Sequence, residues 1–292
     1  MEKIGFIGLG NMGGKVANAI TAKGYPMTVF DLNKKATLAF SGKAEIASDV
    51  ESVLAKSNIV FLSLPSSREV NQTAELFLAA GVSGKIIIDT STSYPFSTRQ
   101  LYEKIKNSGG DLVDLPLSGA PADAEKGQLL ALFGGDEILF EKLRPVVTCF
   151  ANRYANLGKS GSGHIAKLVF NFIALSYVNT YAMAFSLAEK LGMNNQQLLD
   201  LLKTTGMSCG TMNFYVPKMI NKTYDMAFAL ELAHKDLSYI KRMFEEFQVP
   251  AFALDGTLDL LRTAIRDGNG KEDYSVCIKT ITEYFEKSKA QG

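Results

Sequence analysis

Cysteine and histidine are scarce. Cys149, Cys209 and Cys277 are the three cysteines of a 292-residue chain, and an odd, scattered set fits reduced thiols rather than a disulfide framework. The two histidines, His164 and His234, stand well apart with no cysteine cluster beside them, so no metal site is expected. Charge of one sign is missing too. The 31 Lys and Arg are matched by 30 Asp and Glu, which gives no global field for nucleic acid or an anionic membrane and leaves only local patches. No uninterrupted apolar run reaches the roughly 18 residues of a membrane span; the longest, residues 168–175, is broken by Asn171. A strand pattern is reached by Ile4, which leaves no room for the basic and apolar regions of a signal peptide. The expectation is a cytoplasmic protein with no nucleic-acid or membrane partner, long enough for about two domains.

What is present begins with a short apolar run at residues 3–8 (KIGFIG), followed by helical spacing over residues 11–23. Between them stands Gly8-Leu9-Gly10-Asn11-Met12-Gly13. The first glycine permits a tight turn, the second lets backbone approach a pyrophosphate, and the third lets helix pack on strand, with the helix N-terminus toward the phosphates. A second strand, residues 27–30, ends at Asp31, about where such a unit places its ribose-binding acid. Asp31 would accept bonds from ribose hydroxyls and repel a 2′-phosphate, and Leu32 supplies no arginine to offset that. NAD is therefore expected ahead of NADP, with NADP kept open by Lys34 and Lys35, whose other reading is a solvated first helical turn.

Strand patterns recur at residues 59–64, 85–89 and 111–114 with helical stretches between them, which predicts a doubly wound parallel sheet. Ligands of such sheets gather at the carboxyl ends of the strands. Leu64 and Pro65 after one strand and Thr92 after another stand as candidate cofactor contacts, together with Gly8, Gly10, Asn11, Met12, Gly13 and Asp31. The hydroxyls of Ser91 and Thr92 are equally suited to capping the helix that follows at Pro95. Asp114 leads into Leu115-Pro116-Leu117-Ser118-Gly119-Ala120-Pro121, before a further strand at residues 129–133. A small-residue loop of this kind turns amides toward an anion, or is a plain turn with Gly119 chosen for backbone freedom.

Residues 161–171, GSGHIAKLVFN, are the hinge of the chain, because only helical patterns follow: 164–191, 195–204, 228–247, 250–266 and 275–287. Domains are accordingly expected at 1–162 and 163–292. Lys167 and Asn171 lie four apart on the long helix, so a basic group and an amide share one face. That pair suits a substrate with a carboxylate and a reducible oxygen.

Five ordered motifs, GFIGLGNMG at 5–13, DTSTSYP at 89–95, DLPLSGAPADAEKG at 114–127, GSGHIAKLVFN at 161–171 and HKDL at 234–237, together resemble the β-hydroxyacid dehydrogenases. This is the 3-hydroxyisobutyrate dehydrogenase group, related to 6-phosphogluconate dehydrogenase. The resemblance spans essentially the whole chain. It implies an α/β fold, with an N-terminal Rossmann-type doubly wound sheet and a C-terminal all-α domain joined by a long helix. It also implies Lys167 as general acid/base, Asn171 with Ser118, Gly119 and Ala120 as contacts to the substrate carboxylate, Lys235 on the cofactor side, and a homodimer or homotetramer. The chain departs from the family pattern at Ala120 and Asp123, where glycine is usual, and at Gln128 and Phe170.

The implied reaction interconverts a small hydroxy acid and its semialdehyde with NAD(P), Lys167 moving the proton. A free lysine titrates near 10.4, so burial beside the positive nicotinamide is expected to favour the neutral form. With one carboxylate expected on the substrate, Asp123 and Phe170 argue against a phosphorylated sugar acid, and the loop carries no arginine. Asp123 points either to the pocket or to solvent. Two other classes share the fold: imine reductases, which usually carry another residue at the lysine position, and non-catalytic dinucleotide-binding interaction proteins, which lack it.

Overall fold

A computed structural model of the chain describes residues 1–289. Two compact units are present, Met1–Lys167 and Leu168–Gly292. The chain divides inside a helix that opens with Ser162, whereas the sequence pattern alone put the change at 162/163, where helical periodicity begins.

The first unit is built on a six-stranded parallel sheet of order β3-β2-β1-β4-β5-β6. Its strands are β1 (Ile4–Ile7), β2 (Met27–Phe30), β3 (Glu45–Ile46), β4 (Ile59–Leu62), β5 (Ile86–Asp89) and β6 (Asp111–Asp114). Four of them are mostly apolar because both faces are covered: β1, β4 and β5 are buried at every position, and β2 at three of four. The covering helices are α1 (Gly13–Thr21), α2 (Lys34–Leu38), α3 (Val50–Lys56), α4 (Ser67–Ala80) and α5 (Pro95–Asn107). Register is in phase across the centre, with Ile4 beside both Met27 and Ile59. The switch in strand order falls between β1 and β4, so the turn after β1 opens at the crevice where such sheets bind ligands. Strand β3 escapes the sequence pattern because its two residues are both exposed at the sheet edge.

A second sheet, β7-β8-β9, follows, with β7 (Leu117–Ser118), α6 (Pro121–Glu125), β8 (Leu129–Phe133), α7 (Glu137–Val147) and β9 (Ala151–Asn156). β7 pairs antiparallel and β9 parallel to β8. The polar sequence of β9, ANRYAN, gives no apolar period to read. An isolated bridge between Asp114 and Gly134 fastens this sheet to the end of β6.

Helix α8 (Ser162–Lys190) begins in the first unit and continues into the second, which is helical: α9 (Asn195–Lys203), α10 (Gly210–Asn221), α11 (Leu230–Glu246), α12 (Phe252–Ala264) and α13 (Cys277–Lys289). Its core gathers Leu168, Leu175, Val178 and Ala182 with Leu237, Leu254, Leu258 and the fully buried Tyr274. The sequence pattern misses α10, where Pro217 lies inside the helix and reads as a break. By length and composition α8 passes as a membrane span, contrary to the expectation drawn from uninterrupted apolar runs, because an averaged window tolerates Asn171 and Asn179. Asn179 is used within the unit: it donates to the Thr257 carbonyl and accepts from the Tyr274 hydroxyl. Val169, Phe170, Ile173, Tyr177 and Leu187 form an exposed apolar stripe along α8.

Candidate active site

The fingerprint turn has the shape its three glycines predict. Gly8 adopts φ +93 and a β-carbon there would meet the Ser63 carbonyl oxygen at 2.2 Å, so only glycine fits. At Gly13 a β-carbon would lie 2.1 Å from the Gly8 carbonyl oxygen, which is the close helix-to-strand contact. Gly10 is different: a β-carbon would meet nothing within 4 Å, so the fold itself does not require glycine there. Helix α1 has no side-chain cap at Met12 and no acid in its first turn, leaving its positive end to an external anion. Asn11 lies in the same turn.

Asp31 closes this turn from β2. One carboxylate oxygen accepts from the Leu9 amide at 2.6 Å and the other from the Asn33 amide at 2.7 Å. Each oxygen has a second lone pair, so ribose hydroxyls can still be accepted. Leu32, Lys34 and Lys35 are exposed beside it, and the Asn33 side chain caps α2 through the Lys35 amide. These residues fit a dinucleotide: an open glycine cradle at a bare helix N-terminus and a carboxylate at the end of the next strand.

Leu64 and Pro65 follow β4, and the Leu64 amide donates to the Ser91 hydroxyl at 2.9 Å. The Ser91 hydroxyl is thus used to join two strand ends, and α5 starts at Tyr94 without a side-chain cap. Thr92 stands partly exposed beside it.

Around Ser91 lies a buried network. Asp89, at the end of β5, accepts from the Ser91 amide and the Ser93 hydroxyl. His164, fully buried in the first turn of α8, places Nδ1 2.9 Å from the Thr98 hydroxyl and Nε2 3.2 Å from the Ser91 carbonyl. Asp89 stands 3.6 Å from that Nε2. Asp114, fully buried at the end of β6, accepts from the amides of Gly161 at 2.7 Å and His164 at 3.0 Å, so its carboxylate caps the start of α8. Burial pushes the Asp114 carboxyl above its ordinary range, opposed by His164 and by those two amides. Gly163 and Gly134 wall this carboxylate: a β-carbon on Gly163 would come within 2.3 Å of the Leu132 carbonyl oxygen, and one on Gly134 within 2.5 Å of Asp114 itself. That accounts for the Gly-x-Gly-His spelling of the hinge.

The loop after β7 carries Ser118, Gly119 and Ala120. Gly119 has φ +132 and no room for a β-carbon beside Leu129. The Ala120 amide donates to the Asp123 carboxylate at 2.8 Å. Asp123 therefore serves as the cap of α6, an answer that neither reading of that residue from sequence included, and the loop's open contribution to an anion rests on Ser118 and Gly119.

Lys167 is the last residue of the first unit, partly exposed on α8. Asn171, one turn further along the same helix, belongs to the second unit. There its side-chain amide donates to Asp236 at 2.6 Å, and the Lys235 ammonium stands 3.1 Å from the same carboxylate. Asp236 is 1% exposed. The second unit thus brings Asn171 and Lys235 together through Asp236, which sequence reasoning passed over although it adjoins Lys235 in the HKDL motif. Asp89, Asp114 and His164 were passed over as site residues too. An aspartate closing a strand has no pattern of its own. Among the described residues no group of three or more His, Cys, Asp or Glu is placed to hold a metal ion.

An open sheet of order 3-2-1-4-5-6 with this turn at its switch point defines a dinucleotide-binding domain of the Rossmann type. Residues 3–158 match the NAD binding domain of 6-phosphogluconate dehydrogenase. Residues 161–281 match the NAD-binding region of NADP-dependent 3-hydroxyisobutyrate dehydrogenase. The chain belongs to the β-hydroxyacid dehydrogenase family. It is 30% identical to 2-(hydroxymethyl)glutarate dehydrogenase of Eubacterium barkeri, over 95% of this chain and 94% of that one. It is also 30% identical to glyoxylate/succinic semialdehyde reductase 1 of Arabidopsis thaliana, over 96% and 98%. Among solved structures, Mycobacterium tuberculosis 3-hydroxyisobutyrate dehydrogenase with L-serine superimposes with a TM-score of 0.88 at 25% identity, covering 96% of this chain and 99% of that one.

Proposed function

We propose that the chain reduces a small semialdehyde bearing one carboxylate, or oxidises the matching hydroxy acid, with NAD(H) as the preferred cofactor and Lys167 as general acid/base. The observation that carries this reading is the placement of Lys167 and Asn171 one turn apart on α8, with the Asn171 amide oriented by Asp236. When bound, the nicotinamide supplies or accepts the hydride. Lys167 then gives its proton to the oxygen of the carbonyl undergoing reduction, or takes it back in the reverse direction. Asn171, held by one N–H to Asp236, has remaining amide capacity for the acid end of the substrate. Ser118 and the Gly119 amide supply further donors, and Lys235 is assigned a cofactor role on the family resemblance alone. Relatives named for succinic semialdehyde, glyoxylate and hydroxymethylglutarate favour small acids without phosphate.

We assign the protein to a reducing, cytoplasmic compartment, in keeping with its three unpaired thiols. A homodimer or homotetramer is proposed on the exposed apolar stripe of α8. The central test is turnover of a panel of small aldehyde acids with NADH by wild type and Lys167→Ala. The variant is expected to lose about 10² to 10⁴ in kcat while keeping its melting temperature and NADH affinity. Activity within a few-fold of wild type, or turnover of 6-phosphogluconate and of none of the semialdehydes, would sink the assignment.

A further inference from the structure

We propose that His164 is a positioning residue, a buried strut that sets the turn of α8 bearing Lys167 against the loop that follows β5. The inference rests on the reading of Lys167 given above. Four bonds define the strut. The Ser91 carbonyl can only accept, so Nε2 of His164 carries a hydrogen toward it. Nδ1 meets the Thr98 hydroxyl on α5. The backbone N–H of His164 is held by Asp114 on β6. Ser91 in turn receives the Leu64 amide from the end of β4. The imidazole therefore ties the loop after β5 and helix α5 to α8 three positions before Lys167, while the backbone amide of His164 is fastened to β6 and its partner Ser91 to the end of β4.

Neither ring nitrogen is left over for solvent chemistry, since the side chain is fully enclosed. Asp89 and Asp114 are the acidic groups that face it. A histidine so placed does no proton transfer to substrate. Its rigidity is what the site gains: Leu64 and Thr92 are proposed cofactor contacts, Lys167 the proposed proton donor, and the strut makes their separation a property of the folded sheet. A displacement of about 1 Å at a reacting group costs on the order of 10²-fold in rate, so the strut is expected to register in kcat more than in binding.

The experiment compares His164→Gln, His164→Leu and Lys167→Ala with wild type, reading kcat, KM for the acid substrate, the pH profile of kcat, and melting temperature. Gln keeps a donor near the Nε2 position and Leu removes both nitrogens. His164→Leu is expected to lose about 10- to 100-fold in kcat with KM changed less than about threefold, and to move the pH limb that depends on Lys167. His164→Gln is expected to recover most of the rate and restore that limb. If Lys167→Ala is inactive while folded His164→Leu keeps wild-type kcat and pH profile, the strut is overturned and the lysine assignment stands. If Lys167→Ala is active, the lysine assignment falls and takes the strut with it. Should His164→Leu fail to fold, Thr98→Val removes the Nδ1 partner, together with a bond to the Tyr94 carbonyl inside α5, and the same split between kcat and KM decides the matter.

Discussion

Asp31 decides more than one question with a single carboxylate. Its oxygens accept one amide each, from Leu9 and Asn33, so it is fixed beside the glycine turn before any ligand arrives. A carboxylate held at this turn is expected to repel a 2′-phosphate brought beside it, an effect that solvent screening at this partly exposed position keeps modest. Leu32 is 91% exposed and brings no counter-charge. We expect kcat/KM with NADH to exceed that with NADPH by about tenfold or more. A preference for NADPH would show that Lys34 or Lys35 captures the phosphate. Asp236 is the second residue of this kind, unseen in a motif whose lysine was recognised. Its importance comes from being buried between Asn171 and Lys235, a circumstance that has no sequence signature.

The glycine-rich turn can be tested as an element, because its glycines have different reasons to be glycine. Gly10→Ala adds a methyl where nothing stands within 4 Å, so the unfolding free energy should match wild type within about 0.5 kcal/mol. The same methyl occupies the surface a pyrophosphate needs, and NADH affinity, read by fluorescence titration, should fall about tenfold or more. Gly13→Ala forces a carbon to 2.1 Å from the Gly8 carbonyl oxygen and should destabilise the fold itself by roughly 1–3 kcal/mol. A Gly10→Ala protein that binds NADH normally would mean that the cofactor does not lie on this turn. The start of α8 follows the same logic, since the spacing of Gly161, Gly163 and His164 was legible as a motif, whereas its partner Asp114 lies 47 residues from Gly161 in sequence and came only from the fold.

For the whole molecule, the apolar stripe of α8 is the feature with the largest consequence for assembly. Ile173 and Tyr177 are 47% and 48% exposed, and we propose that this face meets a second copy of the chain. Light scattering is expected to give two or four times the chain mass, and Ile173→Glu to shift the population toward the single chain. Wild type that remains a single chain at micromolar concentration would refute the proposed assembly. The sequence by itself determined the α/β class, the strands buried on both faces, the glycine turn and the long helix α8, because apolar period and glycine spacing are local properties that survive without neighbours. Tertiary structure alone decided the edge strand β3, the polar β9, the Pro217-bearing α10, the capture of Asp123 as a helix cap and the burial of His164 against Asp89 and Asp114. Each of those depends on which group a side chain meets across the fold, and burial that leaves a polar atom no water compels it to find a partner that may lie anywhere in the chain.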